Sequence, residues 1–225
     1  MIPHKLPPQL DEWRTEIESR AGYPIDWASD RSLNGAMLAG WTERRPAIWY
    51  RDYSEAGIAE ELLHLLLDLD GYPRLAADEI RTLDRTTATM LQNILQHAII
   101  FPRLRVLGYQ PDKSECEAAA RQLKWLDEQK LDVSRLADEA ALRALLAVFY
   151  VRVRRHCDAG EVQSRVDEMF AGDEFSEVHR LARELTDAIT LTASSSCDEY
   201  VLVGRRCIEI LGTEISIADT LPWEE

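Results

Sequence analysis

Residues 55–70 read EAGIAEELLHLLLDLD, and this stretch decides how the chain folds. At 100° per residue, Gly57, Glu60, Glu61, His64 and Asp68 fall within an arc of about 100°. The positions between them are Ile, Ala and Leu. A helix this apolar is covered on most sides, which leaves one narrow stripe of carboxylates and a histidine. Carboxylates so placed are costly unless they are paired or bind a cation. A metal would satisfy several of them at once. The plain alternative is an amphipathic helix turning its polar face to water. Gly71 and Pro73 mark the end of the helix.

Spacing sharpens the metal reading. In the motif H-E-x-x-H two histidines one turn apart reach zinc, and the glutamate after the first is the general base for an attacking water. Glu60-Glu61-Leu62-Leu63-His64 keeps the base at Glu61 and the second ligand at His64, and puts Glu60 where the first histidine stands. A carboxylate ligates zinc through oxygen at about 2.0–2.2 Å, so Glu60 is chemically able to replace it. The third ligand is expected at His97, in Asn93-Ile94-Leu95-Gln96-His97, on the border between an apolar and a polar arc. Glu60, His64 and His97 make a set of two histidines and one carboxylate, the composition of several catalytic zinc sites. Asp68, one turn past His64, is the alternative third ligand or an outer partner of that histidine.

Segment 36–109 resembles the zincin metallopeptidases, and most of all the ImmA/IrrE-type subgroup of small bacterial proteases. The likeness covers about one third of the chain and is strongest at Glu61-Leu62-Leu63-His64-Leu65-Leu66-Leu67, against the family's H-E-L-x-H-x-x-L. Glu60 stands where the family has its first histidine. The family's usual third ligand is acidic, whereas His97 is placed here by spacing. The resemblance implies a short strand region, an active-site helix and further helices carrying the last ligand. It also implies zinc as cofactor, Glu61 as base and a protein substrate. ImmA/IrrE-like proteins often act on DNA-binding regulators.

Around this helix the pattern predicts an α+β fold, mostly α. Residues 9–21 put Leu10, Trp13 and Ile17 on one helical face before Gly22. Residues 36–51 read as a β-hairpin or two short strands, with Glu43-Arg44-Arg45-Pro46 able to turn and Trp41 and Trp49 in the hairpin core. A helix over 77–101 is expected to stop at Pro102, with a turn closed by Gly108. Ser114-x-x-Glu117 and Ser196-x-x-Glu199 read as capping boxes opening two helices. Segments 134–157 (with Leu136 in its apolar stripe), 161–170 and 174–192 complete a helical set. The organisation expected is a zincin-like domain over 1–110 and a helical bundle over 111–225, with a soft boundary because no linker separates them. Trp125 beside Leu123 and Leu126, and the run Leu145–Val151, offer apolar surface that another element of the chain, a protein partner or a second copy in a homodimer would cover.

Composition narrows the function. The 225 residues are 46% apolar and 29% charged, which suits one large or two small folded domains rather than a disordered chain. Forty acidic against 26 basic residues give a net charge of −14, which argues against nucleic acid as main partner. No leader-like apolar segment opens the chain and no run approaches a membrane span, so no membrane partner is expected. Cys116, Cys157, Cys197 and Cys207 form no CxxC pair. They read as small buried hydrophobes in a reducing cytoplasm, without a disulfide framework. Of the remaining histidines, His156 lies near a helix C-terminus, where positive charge is favoured, and His4 and His179 read as exposed. The leading expectation is a zinc-dependent peptidase-like protein acting on a protein substrate. A degenerate zincin serving as a protein-binding or regulatory module is the alternative, and a structural helical subunit of a larger assembly is the third.

Overall fold

The computed structural model describes residues 6–33, 37–78, 81–128, 139–158 and 160–218. His4, Leu136 and the side chain of Trp125 lie outside what it describes. The elements are α1 (Pro8–Ala21), β1 (Asp26–Ser29), β2 (Met37–Thr42), β3 (Arg45–Tyr50), α2 (Glu55–Leu69), β4 (Leu75–Ala77), α3 (Thr82–Val106) and α4 (Pro111–Glu128). They continue as α5 (Ala140–His156), α6 (Glu161–Met169), a 3-10 turn (Asp173–Phe175), α7 (Ser176–Ala188), α8 (Cys197–Leu211) and β5 (Ile215–Ile217). The fold is therefore α+β and mostly α, as expected. Among the described residues, no helix is long and apolar enough to cross a membrane.

The chain divides into two compact units. One holds the described residues of Met1–Arg74, Ile99–Pro111 and Ala218–Glu225, the other those of Leu75–Ala98 and Asp112–Ile217. Helix α3 is one unbroken element shared by both.

In the first unit a three-stranded sheet has the order β1-β3-β2, with β1 parallel and β2 antiparallel to β3. The β2–β3 hairpin is the one expected, and Glu43 and Arg44, both at positive φ, make its turn. This backbone suits the right-handed twist of a hairpin. Arg45 and Pro46, expected in the turn, instead begin β3. Pro46 is tolerated there for a definable reason. The Ala39 amide donates to Glu61 rather than to β3, so Ala39–Ile48 is a non-hydrogen-bonded pair. Trp41–Pro46 has the same parity, and the missing proline N–H removes no bond to β2. Strand β1 was not expected. Its four residues, with Asp26 and Ser29 exposed, carry too little alternation to be read.

Helix α2 is apolar nearly all round because α1 packs against it on one side and β2 on another. Leu10 and Ile17 of α1, Ile48 of β3 and Ile58, Leu62 and Leu65 of α2 are fully buried. Ser54 caps the helix, its Oγ accepting the Gly57 amide at 3.0 Å.

Helix α3 corrects the expected stop at Pro102, which lies inside it. An interior proline costs about 3 kcal/mol. Burial of Ile99, Ile100, Phe101 and Leu104 around it offsets this, at about 1.5–3 kcal/mol each. Helix α4 corrects a second expectation. It begins at Pro111, so Ser114 lies within the helix and opens nothing. The other capping box is present, with the Ser196 amide on Glu199 Oε2 at 2.7 Å and the Glu199 amide on Ser196 Oγ at 3.3 Å.

In the second unit α5 packs on α6 and α7, and α7 on α8. Strands β4 and β5, three residues each and too short to be read from alternation, pair antiparallel. The run Leu145–Val151 is covered within the chain, where Leu146, Ala147, Val148, Phe149 and Val151 are buried. His179 is half-buried rather than exposed, with Nε2 at 2.8 Å from the Phe170 carbonyl and its ring edge-on to Tyr150.

The cysteines need correction as well. Cys116 and Cys157 form a disulfide with Cα atoms 5.0 Å apart, where four isolated thiols were expected. Spacing along the chain carries no signal for a bond across 41 residues between two helices. Cys207 does behave as a buried hydrophobe. Burial pushes its thiol up to about 12, against the opposing pull of Arg155 and Arg206. Burial and Asp198 also raise Cys197, which is half-buried. Thiol titration of the native chain at mildly alkaline pH is expected to consume Cys197 first and to reach Cys207 only after denaturant is added. Equal rates for the two in the native state would contradict the burial of Cys207.

Candidate metal centre

Glu60 and His64 lie one turn apart on α2, so their side chains share a face. Both are half-buried. His97 comes from α3 and is buried, with 2% of its surface exposed. One ligand atom from each of Glu60, His64 and His97 lies within 4.8 Å of the other two. Among the described residues this is the only cluster of its kind.

The donor set fits zinc in type. Two imidazole nitrogens and one carboxylate oxygen, with a fourth position left for water, is the composition of an open catalytic site. Donors at tetrahedral zinc bond lengths stand about 3.4 Å apart, so side-chain adjustment of roughly an ångström closes the set. The stripe is not a solvated face, because Glu61 and Asp68 beside Glu60 and His64 are buried.

The two other acids of the stripe have protein partners. Glu61 Oε2 accepts the Ala39 amide at 2.6 Å, which ties the carboxylate to strand β2. Asp68 Oδ2 accepts from Trp41 Nε1 at 2.8 Å and from Arg74 Nη2 at 2.5 Å. Asp68 thus lies in a Trp41–Arg74 clamp, and it is not in the cluster with His64 and His97.

Sequence reasoning missed the groups around His97. Glu115 of α4 places Oε1 3.9 Å from His97 Nδ1, in ion-pair range. Its Oε2 accepts from Arg152 Nε at 2.6 Å, and Arg152 Nη1 reaches Gln122 at 3.3 Å. Burial alone would raise the Glu115 carboxyl, but His97, Arg152 and His156 together hold it below its ordinary value. The His156 ring stands edge-on to His97, centroids 5.7 Å apart, with Nδ1 3.4 Å from Asp112 Oδ1. Burial, and then the charge of His97, push His156 down to about 4, so it is neutral at neutral pH. The one sequence trace of this arrangement is that Glu115 and His156 each stand directly before a cysteine.

No protein-family model, curated protein or solved structure matches the chain. Function is therefore read from the chemistry of the site itself.

Proposed function

We propose that the chain is a zinc-dependent, peptidase-like hydrolase acting on a protein substrate, with Glu60, His64 and His97 as the metal ligands. The observation that carries this reading is the convergence of their three ligand atoms within 4.8 Å. Zinc bound there would polarise a carbonyl and make water a nucleophile at neutral pH. Glu61, next to Glu60 on α2, is the general base that takes the water proton and returns it to the leaving nitrogen. The Ala39 amide holds one of its oxygens, which fixes its orientation.

A second reading is favoured by one contact. Glu61 is buried and spends an oxygen on the Ala39 amide, on an edge strand whose outward amides a bound peptide would need. In this reading the same metal site belongs to a non-catalytic, protein-binding module. Glu61→Gln separates the two. For the hydrolase, cleavage of an unfolded protein by the zinc-loaded chain is expected to fall about 10²–10⁴-fold, with zinc content unchanged. A zinc-loaded natural chain that cleaves nothing, while Glu60→His gains cleavage, selects the module. A chain that takes up no zinc removes both and leaves the structural subunit.

A further inference from the structure

His97 is held from two sides by residues of two different helices, Glu115 on α4 and His156 on α5. The residue after each is a cysteine, Cys116 within α4 and Cys157 just past the end of α5, and those two cysteines form the disulfide. The covalent link therefore lies one peptide unit from each group that touches His97. Ties between α4 and the α5 region include Glu115 and Gln122 on Arg152, Asp112 on His156, and the disulfide.

We propose that the Cys116–Cys157 disulfide clamps Glu115 and His156 about His97, so that zinc affinity depends on the thiol redox state of this pair. The proposal rests on the metal site of the preceding section and names its regulation. Opened, the link no longer fixes Glu115 and His156 at this separation, and Glu115 holds the ring of His97 less firmly. Outer partners of this kind orient a ligating imidazole, and their loss weakens metal binding about 10–100-fold. Cys116 is half-buried and Cys157 is buried, so attack falls on Cys116. A dithiol reductant supplies the thiolate that adds to Cys116 Sγ. The Sγ–Sγ bond breaks and Cys157 leaves as thiolate. The second thiol of the reductant then displaces Cys116. Two electrons and two protons have reached the cysteine pair, and the dithiol has become a disulfide.

The test uses the full chain purified without reductant. Thiols are counted in denaturant, and zinc affinity is measured by competition with a chromogenic chelator. Three forms are compared: the oxidised chain, the dithiol-reduced chain freed of reductant without air, and Cys116→Ala/Cys157→Ala, which has no thiols there to bind zinc. Expected are two titratable thiols in the oxidised chain and zinc binding at least about tenfold weaker in the other two forms. The double variant should not respond to dithiol. Should that variant fail to fold, the reduced natural chain decides. Equal affinity in oxidised and reduced chains overturns the clamp and leaves the zinc site standing. Four titratable thiols, or loss of helical circular dichroism on reduction, also overturns it. Absence of zinc binding by the oxidised chain instead refutes the metal site.

Discussion

His64→Ala is expected to abolish stoichiometric zinc binding while leaving the chain folded. In the proposed site three side chains would supply the donors, and removing one would leave Glu60 and His97, a pair drawn from different helices. Losing an outer partner already weakens metal sites roughly 10–100-fold, so losing a ligand should exceed about a hundredfold. The fold has less reason to respond, because His64 is half-buried and its neighbours Leu62, Leu63, Leu65 and Leu66 carry the packing of α2. Zinc at a hundred times its dissociation constant stabilises the chain that binds it by about 2.7 kcal/mol. For a chain of this length that raises the melting temperature by roughly 5–10 °C. The natural chain should show this shift and His64→Ala should not. Elemental analysis after dialysis should find about one zinc per natural chain. An equal zinc shift in both proteins would place the metal elsewhere.

The features read correctly from sequence are those set by local pattern. The acidic and histidine stripe of α2 follows from its 100° step, and the capping box at Ser196 from the spacing of two residues. His97 was found by the same means, as a histidine at the edge of an apolar arc. What escaped the sequence depends on contacts far apart along the chain. Pro102 continues a helix because four buried neighbours outweigh its local penalty. Ser114 resembles a cap, but proline at 111 starts the helix three residues earlier. Glu115 and His156 are 41 residues apart, and nothing local announces that both face His97 or that the cysteines after them join. Strand β1 is visible only through its parallel pairing with β3.

Asp68 shows the same distinction, and its removal carries the largest expected loss of stability. From spacing it is a spare ligand one turn beyond His64. In the fold it is 2% exposed, and it accepts from Trp41 on β2 and from Arg74 just ahead of β4. Asp68→Ala leaves the Trp41 indole N–H without this acceptor and the Arg74 guanidinium without its counter-charge. Breaking a buried ion pair costs about 3–5 kcal/mol. Arg74 is 34% exposed and regains water, which lowers the figure, while the stranded indole adds about 1 kcal/mol. The net expectation is about 3 kcal/mol, or a fall in melting temperature of roughly 6–12 °C. Asp70→Ala is the control. Asp70 pairs with Arg20 at 2.8 Å, but both are well exposed, and such pairs contribute less than about 1 kcal/mol. Asp68→Asn should fall between the two, because its amide oxygen still accepts one hydrogen bond while the charge is gone. Zinc affinity should stay within about threefold of the natural chain in Asp68→Asn, since the carboxylate stands outside the ligand cluster and outer effects begin near tenfold. If Asp68→Asn kept its melting temperature and lost zinc instead, Asp68 would be a ligand and the clamp would be incidental.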